Sequence, residues 1–180
     1  MPTAITLLTA AVLLLPSSSP SSSSSPSSSS SPSPSARECR PGETGVVVDT
    51  RSHQMHLCRA GQSDRSFAVA LGSGGVGKQK QGDARTPLGR YGLGAPRGSK
   101  NFHIFVPVGY PTAEQARMGF TGSAIGIHGP PRGYETLAQL AMLVAQDWTI
   151  GCIAVATDED IEAVAAWLRK HEVKNVRLEI

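Results

Sequence analysis

Two residues in this sequence have the type and setting for covalent chemistry, Cys152 and His128. Cys152 stands in the segment Asp147-Trp148-Thr149-Ile150-Gly151-Cys152-Ile153. A glycine before a nucleophile removes a side chain that would block attack, and it permits the backbone angles of a sharp turn. Backbone N–H groups at such a turn can stabilise a tetrahedral oxyanion. A free thiol ionises near pH 8.5, so it needs a partner to take its proton. The alternative for Cys152 is a buried cysteine packing as a small hydrophobe. His128 ends the apolar strand candidate Ala124–His128 and is followed by Gly129-Pro130-Pro131-Arg132-Gly133. A histidine at a strand-to-loop junction can reach a neighbouring loop; the alternative is a satisfied strand-end histidine. Of the other histidines, His53 and His56 are expected near a turn and solvated. His171 falls near a helix C-terminus, where a cation suits the dipole. His103 sits in a strand candidate and is a second candidate for lining a cleft.

Competing chemistries find little support. The Gly-rich stretch Gly72–Gly98 contains no G-x-x-x-x-G-K-[ST] and no G-x-G-x-x-G before a helix, so a nucleotide site is not expected. No H-E-x-x-H or C-x-x-C occurs. A zinc site built on His128 and Cys152 lacks ligand spacing, so neither metal nor cofactor is expected. Lys and Arg number 17 against 14 Asp and Glu, giving a net charge of +3, and only 5% of residues are aromatic. Without a basic run or stacking platforms, nucleic acid is not an expected partner.

The elements around these residues read as mostly β. Strand candidates are Gly45–Thr50, Gln54–Arg59, Phe67–Leu71, a short one at Arg90–Leu93, Phe102–Pro107, Ala124–His128 and the alternating Val173–Ile180. In the second of these, Met55 and Leu57 face one way. Thr112 can cap a short helical turn through Met118. Two main helices follow. Glu135–Gln146 carries Leu137, Leu140, Ala141 and Val144 on one face. Asp158–His171 is capped by Thr157, has Asp158, Glu159 and Asp160 in its first turn, and carries an apolar stripe of Ile161, Val164, Ala165 and Leu168.

Residues 1–15 resemble an export segment, with a twelve-residue mostly apolar run from Ala4 to Leu15. Residues 16–35 contain only 15 Ser and 5 Pro. With no apolar surface to bury, they read as a disordered, Pro-stiffened linker. Residues 36–180 suit one domain. A membrane tether is expected only through the N-terminal segment, and the expected location is the periplasm or cell envelope. Three cysteines in an exported chain suggest one pair and one free thiol; Cys39 and Cys58 are the expected pair, leaving Cys152 free.

Three blocks in order resemble the L,D-transpeptidase (YkuD-type) catalytic domain. Gly82-Asp83-Ala84-Arg85-Thr86-Pro87-Leu88-Gly89 is similar to the family's G-D-x-x-T-P-x-G. Ile125-Gly126-Ile127-His128-Gly129 is similar to its I-x-I-H-G. Trp148-Thr149-Ile150-Gly151-Cys152-Ile153 is similar to its [ST]-H-G-C core. The likeness spans about Gly45 to Ile180. Ile150 stands where the family usually has His, Ala154 where Arg or Asn is common, and His128 and Cys152 are 24 residues apart. These features resemble a branch with a W-T-x-G-C core. The resemblance implies a β-sandwich with two main helices and acyl transfer on peptidoglycan stem peptides. It makes Cys152 the nucleophile, His128 the base, the Gly129 carbonyl its orienting group, and the Gly151 and Cys152 N–H groups the oxyanion donors. Thr149 and Arg132 are the expected substrate contacts, Arg132 for a carboxylate, unless it is a solvated loop residue. The alternatives are an L,D-carboxypeptidase or other thiol hydrolase on the same fold, a non-catalytic wall-binding module, and a zinc hydrolase.

Overall fold

The computed structural model describes residues 39–134 and 136–180. The expected export segment and Ser/Pro linker lie outside the described residues, as do the side chains of Leu137, Leu140 and Val144. The chain runs β1 (Gly45–Asp49), β2 (Gln54–Arg59), β3 (Gln62–Ala70), β4 (Gly89–Gly92), β5 (Arg97–Ser99), β6 (His103–Pro107), α1 (Ala113–Arg117), β7 (Gly126–His128), α2 (Leu137–Ala145), β8 (Ile153–Val155), α3 (Asp158–Lys170) and β9 (Asn175–Glu179). The strands form one mixed sheet in the order β4-β9-β1-β2-β3-β8-β7-β6-β5. Only β1–β9 and β7–β8 pair in parallel.

The sheet curls at β3, the strand its two halves share. Residues beyond β4 and β6 then meet: Leu93 bridges Val108, Gly94 N–H donates to Pro107 O at 2.8 Å, and Gly109 N–H donates to Gly92 O at 2.8 Å. The mainly β expectation therefore holds, and the two layers of the expected sandwich are two halves of one folded sheet. Between them lies a single apolar core. Val46, Val48, Met55, Leu57 and Val69 come from one half, Val106, Ile127, Ile153 and Val155 from the other. α3 adds Ile161, Val164 and Leu168 to that core.

Local signals account for most of the elements. The Thr157 side chain accepts from Asp160 N at 3.1 Å, capping α3 as expected, and its apolar stripe is buried. Thr112 and Gln115 form a capping box on α1, and Thr136 and Gln139 form another on α2. α2 therefore begins two residues later than Glu135. Ala141, on its apolar stripe, is exposed. The three-residue strands β5 and β8 were not anticipated, and β3 starts five residues before Phe67.

His56 corrects the expectation of a solvated turn residue: it lies inside β2 and is buried. β2 is an interior strand, and its second face is covered by the stretch that begins at Cys39. There Cys39 and Cys58 are disulfide-bonded with Cα atoms 5.6 Å apart, and they pack with Val47. Beside them the buried Arg177 guanidinium forms a two-pronged pair with Glu43 at 2.9 and 2.7 Å. Burial on both faces overrides the simple alternation that a half-exposed strand would show.

Candidate active site

β7 and β8 run side by side in parallel, with His128 opposite Ala154. Cys152 is two positions before Ala154, so it lies on the same face of the sheet as His128. Both line one cleft of about 800 Å³, together with Phe102, Phe105, Trp148 and Ile150. Cys152 is the only free cysteine among the described residues. The sequence-expected nucleophile and base are thus brought together.

The turn before Cys152 is fixed from several directions. Gly151 has φ +119°, and a Cβ there would come within 2.5 Å of Arg85 O, so only glycine fits. Thr149 N–H donates to Leu71 O and Ser73 N–H to Thr149 O, docking the turn on the end of β3. The Thr149 hydroxyl donates to Cys152 O at 2.8 Å and accepts from Gly151 N–H at 3.1 Å. The Thr86 hydroxyl donates to the same carbonyl at 3.4 Å and accepts from Gly72 N–H at 2.8 Å. Two threonines from two of the quoted blocks therefore grip one carbonyl. Thr149 is buried in this network, so it shapes the turn from within. The Gly151 N–H, expected as an oxyanion donor, is engaged by Thr149.

His128 is buried among aromatic rings. Phe102 stacks on it at 3.9 Å, and Trp148 meets it edge-on at 5.8 Å. Its Nδ1 lies 2.7 Å from Gly129 O. A carbonyl only accepts, so Nδ1 carries the proton and Nε2 is left as a free base. Gly129 is held in turn: a Cβ there would meet Ile161 Cγ2 at 2.9 Å and Phe102 O at 3.0 Å. Burial pushes the His128 pKa below its ordinary value, against a smaller upward pull from Gly129. Burial pushes the Cys152 thiol up, offset in part by the Gly126 N–H and by the Lys78 charge. Both shifts favour the neutral forms of the thiol and the imidazole. The thiol donates to Ala124 O at 3.5 Å.

Lys78 owes its place to Asp83 in the first quoted block. Its side chain is only 3% exposed, and its Nζ is 2.7 Å from Asp83 Oδ1. Asp83 also accepts from the N–H groups of Gln79, Lys80 and Arg85. Burial pushes this carboxyl up, but the Lys78 ammonium and the three N–H groups outweigh it and hold it well below the usual carboxylate range. Gly126, which stands in the second block, carries no role in the sequence reading. A Cβ there would fall 2.3 Å from the Phe105 ring, so glycine lets the ring lie flat beneath the cleft.

The remaining candidates fall elsewhere. Arg132 is outside the cleft lining; it donates to Asp158 at 2.7 Å and to His103 Nδ1 at 2.9 Å. His103 pairs with Glu162 at 2.6 Å and does not line the cleft. His53 is half-exposed and held by Asp147 at 3.1 Å, and His171 caps α3. No group of three His, Cys, Asp or Glu side chains able to hold a metal occurs among the described residues.

A family model for the L,D-transpeptidase catalytic domain (YkuD) matches residues 43–176. The chain belongs to this family. Among solved structures it is similar to the helical cell shape determining protein Pgp2 from Campylobacter jejuni. That match has 24% identity and a TM-score of 0.60, and it covers 74% of this chain and 46% of that one. It is also similar to Bd1075 from Bdellovibrio bacteriovorus, at 20% identity and a TM-score of 0.54, covering 80% of this chain and 52% of that one. The chain thus spans about half the length of these two proteins, and at such identities the likeness speaks to the fold. No curated protein matches the chain at a significant level. For this YkuD domain, the three quoted blocks meet in one place: the first braces the Cys152 turn and the second supplies His128.

Proposed function

We propose that the chain is an exported acyltransferase of the L,D-transpeptidase type, acting on peptidoglycan stem peptides through a thioester on Cys152. The observation that carries this reading is the base. His128 shares the cleft with Cys152, and its bond to Gly129 O leaves Nε2 free to accept a proton. Cys152 Sγ attacks the carbonyl carbon of an L-residue that precedes a terminal D-residue, and the thiol proton passes to His128 Nε2. The carbonyl electrons move onto oxygen, and the Cys152 N–H is the donor proposed to meet that oxyanion. Collapse breaks the C–N bond, and the amine leaves with the proton from His128. An acceptor amine then attacks the thioester, giving its proton to His128, and the thiol is restored when the new amide forms. Water in place of the amine gives the hydrolytic outcome on the same residues.

Intact-protein mass spectrometry after incubation with purified muropeptides tests the reading. An acyl adduct on wild type, absent from C152A, with cross-linked products in solution, is the expected result. A folded wild-type protein that forms no adduct with muropeptide or carbapenem refutes acyl transfer. The wall-binding reading then takes its place.

A further inference from the structure

The cleft carries charge of one sign. Arg97 and Lys100 line it, and no Asp or Glu does among the described residues. Arg97 is also held in register with the base. Cross-strand partners run Arg97–Phe105–His128 across β5, β6 and β7, placing all three on one face about 4.8 Å apart from strand to strand. The Arg97 guanidinium lies over the Phe105 ring at 5.5 Å, and that ring is within 13° of parallel to His128. The stack fixes a cation two strands from the base while leaving its donors to a ligand. Arg132 cannot play this part, because Asp158 already neutralises it.

We propose that Arg97, assisted by Lys100, binds a free carboxylate of the peptide substrate beside the scissile bond and thereby sets specificity for acidic over neutral peptides. This rests on the peptide-acyl-transfer reading above. Two carboxylates could serve: the terminal one of the leaving residue, a residue's length or about 3.8 Å beyond the scissile carbonyl, or a side-chain one nearby. Recognition is separable from chemistry by calorimetry on C152A protein, using a stem peptide as free acid, as terminal amide and as side-chain amide. Losing a charge-assisted pair weakens binding about 10- to 100-fold. One of the two amides should bind that much more weakly than the acid and so name the carboxylate. R97Q in the C152A background should weaken the acid by a similar factor and leave that amide unchanged. R97K should recover part of the loss, and K100Q should lose less. Equal binding of acid and both amides, no binding of the acid at millimolar concentration, or an equal loss for all three ligands in R97Q overturns the proposal. Failure of acyl transfer in the Cys152 protein, with Arg97-dependent binding intact, would instead refute the transfer reaction and leave the carboxylate site standing.

Discussion

The proposed reaction needs His128 unprotonated, and this fixes the direction of its pH dependence. Its folded pKa is lowered by burial, so the acid limb of acylation should fall below the ordinary imidazole value of about 6.5. Stopped-flow acylation by a carbapenem across pH 5 to 8 reads this directly; a limb above that value contradicts the buried-base geometry. The same shift acts on stability. The unfolded chain binds the proton more readily, so stability from this group is present above about pH 6.5 and is lost as pH falls through the lower folded value. H128A should slow acylation by about 10²–10⁴-fold, the usual range for losing a general base, whereas C152A should abolish the adduct. At this scale the sequence was informative where a motif marks the residue: Cys152, His128, Gly129 and Gly151 all lie at the site. Arg97, Phe102 and Phe105 were not legible, because their relation to His128 exists only through cross-strand register and stacking.

The turn that carries Cys152 is held from outside itself. Thr86, 66 residues before Cys152, shares its carbonyl with Thr149. T86V and T149V should each lower stability by about 1–3 kcal/mol, the range for leaving a buried polar group unpaired. A double-mutant cycle by urea denaturation should show them non-additive, since both act on one acceptor. G151A must either clash with Arg85 O or shift the turn, so labelling of Cys152 by iodoacetamide and carbapenem acylation should both change in a protein that still folds. Elements with local signals, such as β1, β2 and the Thr-capped α1 and α3, were readable in the sequence. β5 and β8 were not. Three residues cannot display a period, and β8 becomes a strand only because β3 and β7 flank it.

At the scale of the domain, the Cys39–Cys58 bond closes a loop of 19 residues' separation and ties the stretch that begins at Cys39 to β2. Reducing it should cost roughly 3 kcal/mol of stability by the loop-entropy account. Thermal melts with and without reductant, followed by titration of Cys152, should show lower stability with the adduct still forming below the new transition.

The position of β9 has a further consequence, in the order of events as a chain is made. β9 lies between β4 and β1, so residues 175–179 supply an interior strand, one in from the edge of the sheet. A chain appearing N-terminus first can assemble β1 to β3 early, yet β1 then presents an unpaired edge until residues 175–179 have emerged. Ending the chain at Lys174 should therefore leave amide protons of β1 and β4 in rapid exchange, although neither strand has been altered.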